Sequence, residues 1–192
     1  MSEIYTIGYG NRSINEFLEL LGKYQIVYLI DIRTSPYSRF NPDFNKHALK
    51  NILLDHGIKY VFMGDALGGI PKDESVYSND GKVDYEKLQK KDYFLNGIAR
   101  LEKAISQGLS IAIMCSELKP ENCHRSKLIG KMLTERGITV KHIDENGDLI
   151  TQDEIWLRLD KGQYSFPGFE KTAQTSRKKY LEVRDDGDQY TE

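Results

Sequence analysis

Five short apolar runs alternate with stretches of helical periodicity, and that alternation constrains the fold more than any other feature of the chain. The runs cover residues 4–7, 28–32, 60–63, 111–114 and 138–143, and most are rich in β-branched side chains. Each is too short for a buried helix, so each reads as a buried strand. Between them, apolar residues recur at helical spacing: Ile14, Phe17, Leu18 and Leu21, then Ala48, Leu49, Ile52 and Leu53, then Leu128, Ile129, Met132 and Leu133. A further helical region covers 84–107, with a break near Asp92. Start and stop signals agree with this division. Ser13 with Glu16, and Thr151 with Glu154, have the spacing of capping boxes. Asn45 and Asp84 stand where helices open, and Gly57, Gly108 and Gly137 stand where they close in the left-handed conformation.

Strands alternating with helices predict an α/β fold. The expected architecture is three-layered: a mostly parallel sheet of about five strands, helices on both faces, and a short C-terminal helical or irregular extension. Residues 1–148 would form the α/β domain. Residues 149–192 would carry a short helix with Ile155, Trp156 and Leu159, then a charged tail anchored through Phe166, Phe169 or Tyr180. Residues 72–83 are polar and read as an insert or flap.

At 192 residues the chain suits one ordinary domain that needs no disulfide staple. Its formal net charge of -2 gives no global attraction to nucleic acid or to an anionic membrane. No apolar stretch is long enough to span a bilayer, and the first residues lack a basic flank and an apolar core, so no membrane partner is expected and the chain reads as cytoplasmic. In that compartment its two cysteines are expected as free thiols, ligands or catalysts rather than as a structural bridge.

In a parallel α/β sheet, ligands bind beyond the carboxyl ends of the strands. Here those ends are residues 8–10, 31–33, 63–69 and 115–116, which gathers the chemically capable residues onto one edge. The stretch 110–126, SIAIMCSELKPENCHRS, supplies most of them. Cys115 ends a buried strand and faces the next helix, where amides and nearby cations favour the thiolate. It is either a nucleophile or a small buried hydrophobe. Cys123 is either a resolving thiol for Cys115 or a residue of the helix cap. His124 would be the base, and Arg125, at the helix start, an anion-binding side chain or half of a salt bridge to Asp31. Arg33 and either Arg12 or Arg39 should lie on the same edge. Asp31, inside an apolar run, is costly to bury unless paired, and Arg33 has the parity to pair with it. Asp31 is therefore either half of an ion pair or an active-site carboxylate. Gly8, Tyr9 and Ser126 join the anion-binding set, and Glu117 a supporting one. The run GYGNRS lacks the third glycine of a dinucleotide fingerprint. The spacing from Cys115 to Arg125 is too long for the phosphatase arrangement Cys-x5-Arg.

Four motifs in order, TIGYGNRS, DIRTSPYSRFNPDFN, YVFMGDALGG and MCSELKPENCHRS, resemble the domain-of-unknown-function 488 family. The resemblance covers about residues 3–145. It implies an α/β fold with a polar pocket built from these motifs, and supplies no substrate.

Three functions are expected from these residues. The first is a thiol-dependent enzyme acting on an anionic, phosphate-bearing substrate such as a nucleotide or nucleic-acid end. Cys115 would be its nucleophile, His124 its base and Asp31 its orienting carboxylate, with the anion held by Arg33, Arg39 and Arg125. The second is a non-catalytic nucleotide or nucleic-acid binding module using the same arginines. The third is a metal-dependent variant in which Cys115, Cys123 and His124 hold zinc, although C-x7-C-H is not a familiar zinc spacing. The sequence sets no oligomeric state.

Overall fold

The computed structural model describes residues 3–159 and 175–181. Its sheet has six strands in the order β3-β2-β4-β1-β5-β6. These are β1 (Glu3–Gly8), β2 (Tyr28–Asp31), β3 (Lys59–Phe62), β4 (Ile111–Cys115), β5 (Thr139–Ile143) and β6 (Leu149–Thr151). All neighbours pair in parallel except β5 and β6. The three-layer, mostly parallel α/β expectation is met. The strand count of about five becomes six, because β6 is only three residues long and folds back on β5 through a tight turn at Gly147. Three residues cannot declare a period, and Thr151 also serves the capping box, donating to and accepting from Glu154.

Side-chain alternation divides the strands between two cores. Ile7, Leu29, Ala112, Met114 and Ile143 face one way, against α1 (Ile14–Lys23) and α2 (Lys46–Asp55). Ile4, Ile30, Ile111, Ile113 and Val140 face the other. There they meet α5 (Asp92–Ser106), a wide helical turn over Arg125–Gly130, and α6 (Lys131–Glu135). The described residues also form α3 (Gly64–Leu67), α4 (Tyr85–Leu88) and α7 (Gln152–Leu159). Each large side chain fully buried this way, such as Phe17 or Phe94, contributes roughly 1.5–3 kcal/mol.

Local signals explain the helix ends. Ser13 accepts from the Glu16 amide at 3.2 Å while the Glu16 carboxylate takes the Ser13 amide at 2.7 Å. Asn45 opens α2 by position, but its side chain accepts from the Ser38 amide and so ties the long loop after β2 instead of capping. Asp84 caps α4 and accepts from the Glu86 and Lys87 amides.

The site follows from topology. After β1 the chain crosses to β2 on one side, and after β4 it crosses to β5 on the other, so β1 and β4 flank the point where the winding reverses. Gly8 and Cys115 are register partners at its carboxyl edge, and Asp31 pairs with Met114 beside them. Residues 175–181 return to this edge. Ser176 donates to the Val83 carbonyl at 2.9 Å and Tyr180 to that of Gly81 at 2.8 Å. The expected anchors Phe166 and Phe169 lie outside the described residues.

Candidate functional site

Cys115 ends β4 with its side chain on the face covered by the Arg125–Gly130 turn. The chain then makes a loop whose carbonyls must find donors because it is packed against the sheet edge. Arg125 supplies them. Its guanidinium is fully buried and donates to the carbonyls of Glu117 at 2.6 Å and Leu118 at 3.0 Å. Arg12 does the same between strands, donating to the Gly8 and Asp144 carbonyls. Ser126 is buried and donates to the Pro120 carbonyl at 2.6 Å. These contacts fold the loop into a tight hook that returns Cys123 and His124 to Cys115.

The hook packs against β1 through Gly8. A Cβ at that position would overlap the Glu117 carbonyl oxygen and the Arg125 guanidinium. Gly8→Ala is therefore expected to destabilise the protein by at least about 1–3 kcal/mol, the usual range for overpacking. Chemical denaturation measures it.

Four reactive groups converge inside the hook. The two free thiols touch, with Cys123 Sγ donating to Cys115 Sγ at 2.7 Å. Glu117 Oε2 lies 2.7 Å from Cys115 Sγ on its other side. His124 Nε2 is 3.0 Å from the Leu67 carbonyl oxygen, which can only accept, so Nε2 carries the proton. Nδ1 is thereby turned to the sulfurs, 3.6 Å from Cys123 and 3.8 Å from Cys115. The ring lies against Gly69, where a Cβ would come within 2.7 Å of Nδ1.

The electrostatics set the two thiols apart. Burial pushes the Cys115 thiol up, but the hydrogen bond from Cys123 and the positive charge of His124 outweigh it and bring the thiol down to about 6. Glu117 opposes this as a like charge. Burial and the neighbouring Cys115 push Cys123 well above the ordinary thiol value. Burial lowers His124, yet the Cys115 charge overcomes it, so the imidazole is more basic than usual. The charges favour ionisation of Cys115 beside a more basic His124 and keep Cys123 protonated, while the Glu117 carboxylate, which accepts from the Cys115 thiol, opposes that ionisation.

Arg33 forms the facing wall. It is 4% exposed and grips Asp31 with two parallel bonds, Nε to Oδ1 at 2.9 Å and Nη2 to Oδ2 at 2.6 Å. Nη2 also donates to the Phe44 carbonyl, and the Tyr9 ring lies 5.3 Å from the guanidinium carbon. Tyr9 stacks in turn on Phe44. Among the described residues Nη1 has no hydrogen-bond partner. Arg33 as a residue lines the cleft, while this nitrogen itself is closed off from solvent.

Arg33, Cys115, Glu117, Cys123 and His124 line one cleft of about 150 Å³. Arg177, Lys178 and Tyr180 form part of its rim. A second cavity of about 470 Å³ adjoins it through Thr34 and Ile70 and is walled by Phe62, Pro71 and Tyr93.

Several expected roles change. Arg125 points into the loop and not into the cleft, because the loop carbonyls claim its guanidinium. Arg39 is exposed and does not line the cleft. Asp31 contacts Arg33 and the Tyr60 hydroxyl, at 2.6 Å from each, so it positions the anion-facing arginine and not His124. Gly8 and Ser126 shape the hook, and Tyr9 supports Arg33 from behind. The helix-start amide of Arg125 is directed at Cys123 Sγ, at 3.4 Å, rather than at Cys115. Arg177 and Lys178 were not expected, and Tyr180, expected only as a packing anchor of the tail, lines the cleft. The tail has no periodicity to place it, and only its backbone bonds to residues 81–83 bring these side chains here.

Among the described residues, Cys115, Cys123 and His124 are the group with metal-ligand geometry, their ligand atoms lying within 4.8 Å of one another. Two thiolates sharing a tetrahedral zinc, with Zn–S of about 2.3 Å, stand about 3.8 Å apart. The sulfurs stand 2.7 Å apart here, so a shared zinc would require them to separate by about 1 Å.

A family model described as a domain of unknown function, DUF488, matches residues 13–132, a stretch that contains Asp31, Arg33 and the whole hook. No curated protein and no solved structure matches the chain. Among the described residues no helix is long and apolar enough to cross a membrane.

Proposed function

The chain belongs to the DUF488 family, and from the site it carries we propose that it is a thiol-dependent enzyme acting on an anionic, phosphate-bearing substrate such as a nucleotide or nucleic-acid end. The observation that carries this reading is that Cys115, whose thiol is lowered, lines the same cleft as Arg33, a buried arginine with one guanidinium nitrogen unpartnered among the described residues. Arg33, held rigid by Asp31, receives the anion. Lys178 and Arg177 add positive charge at the rim. Cys115 Sγ attacks the electrophilic atom, and the leaving group takes the proton from Nδ1 of the His124 imidazolium. The adjoining apolar cavity, walled by Phe62, Pro71 and Tyr93, suits a flat organic group attached to the anion.

A purely binding module using the same arginine would have no use for an imidazole and a second thiol against Cys115. A contacting pair of reduced thiols also suits a reducing, cytoplasmic setting.

Protection of Cys115 from alkylation tests the reading. Adenosine monophosphate at millimolar concentration is expected to slow iodoacetamide modification of Cys115, and adenosine is not. If neither that ester nor inorganic phosphate slows it, the anion-binding reading fails.

A further inference from the structure

We infer that Cys115 and Cys123 form a dithiol–disulfide couple, and that the protein reduces small disulfides carrying an anionic group. The inference rests on the reading of Cys115 as nucleophile and Arg33 as anion donor, and it adds the class of reaction. Its basis is the placement of the second thiol. Cys123 is not beside the nucleophile by accident of a flexible loop. Its backbone is fixed by its amide bond to the Pro120 carbonyl at 3.0 Å, its sulfur by the Arg125 amide, and the hook by the buried Arg125 and Ser126. These contacts hold the Cys123 sulfur 2.7 Å from Cys115 Sγ, and both cysteines line the cleft. Any adduct formed on Cys115 therefore has a thiol already against the sulfur that must be attacked to release it.

The protonation states suit the two roles. Cys115 is the group that ionises, which makes it the first attacker. Cys123 keeps its proton until it is needed. His124 Nδ1 faces both sulfurs and can move a proton between them and the leaving groups.

In the first step Cys115 Sγ attacks one sulfur of R–S–S–R′. The Cys115–S–S–R bond forms, the substrate's S–S bond breaks, and R′S⁻ leaves and takes the proton of the His124 imidazolium. In the second step Cys123 passes its proton to His124 and its sulfur attacks Cys115 Sγ. The Cys115–Cys123 bond forms, and RS⁻ leaves and is protonated by His124. Two electrons pass from the dithiol to the substrate, which departs as two thiols. An external dithiol returns the couple to its reduced state by the same exchange. Arg33 takes the substrate's anionic group.

The probe is 5,5′-dithiobis(2-nitrobenzoate), a disulfide whose rings each carry a carboxylate, added in slight excess to the full reduced chain at neutral pH. The wild type is expected to release two thionitrobenzoates per chain, retain none, and yield a peptide linking Cys115 to Cys123. Cys123→Ser is expected to release one and retain the other on Cys115. Wild-type protein that retains thionitrobenzoate on both cysteines, or on Cys115 alone, overturns the couple while leaving Cys115 a nucleophile. A Cys115 that reacts no faster than free cysteine in either protein overturns the underlying reading instead. Release of a stoichiometric zinc ion on thiol modification, detected with a colorimetric chelator, also overturns the couple, because the thiols would then be ligands.

Discussion

Asp31→Ala is expected to lower the stability of the protein by about 3–5 kcal/mol, the range for breaking one partner out of a buried ion pair. The Asp31 carboxylate is fully buried and takes three side-chain bonds, two from Arg33 and one from the Tyr60 hydroxyl. Its Oδ1 also accepts from the Arg33 amide at 3.1 Å. Removing it leaves a buried guanidinium and a half-buried phenol without their acceptor. For a chain of this size the melting temperature should fall by roughly 2–4 °C per kcal/mol, so by about 6–20 °C in all. The double replacement Asp31→Leu with Arg33→Met removes both charges and should cost much less, because no charge is left stranded. A single mutant as stable as the double would mean that the pair is not the strut on which the cleft wall depends.

His124→Gln should shift the reactivity of Cys115. Loss of the imidazolium removes the main opposite charge facing the thiolate, so the pH at which Cys115 ionises should rise from about 6 towards the free-thiol value of about 8.5. The sign follows from the charge. A group whose thiolate is stabilised reacts at lower pH, and withdrawing the stabilisation moves its titration up. The midpoint of the alkylation profile is the sharper readout. The rate near neutral pH should fall only several-fold, since a more basic thiolate is intrinsically the better nucleophile. A midpoint that does not move would mean that the hydrogen bond from Cys123, and not the imidazolium, lowers the Cys115 thiol.

Much of this architecture was legible in the sequence, and the reasons differ from one element to the next. The strand ending at Cys115 and the turns at Gly57, Gly108 and Gly137 were readable because periodicity and backbone conformation act locally; all three glycines have positive φ. Parity made Arg33 a candidate partner for Asp31 but left Arg125 open as another, and only the fold decides between them. The direction of Arg125 was not. An arginine at a helix start can face a ligand or satisfy buried carbonyls, and which of these it does depends on how the loop before it folds. That loop's packing against Gly8 is a long-range fact. Glu117 belonged to the family motif, but nothing in its position two residues beyond Cys115 announces that its carboxylate turns back onto the thiol. Tyr60 stands in β3 with no sign of its bond to Asp31. Lys178 and Tyr180 reach the cleft only because an aperiodic segment is bonded to residues 81–83. Local chemistry thus placed the candidate thiol, while its supporting contacts required the fold.

If Cys115 is a thiolate at neutral pH, its alkylation rate must already be maximal there. The rate of iodoacetamide modification of Cys115 in the reduced wild-type chain would be followed by peptide mass spectrometry across the pH range. The expected profile is a sigmoid that rises through about pH 6 and is flat above neutrality. A rate that climbs without levelling until about pH 8.5, as for an unperturbed thiol, would contradict it.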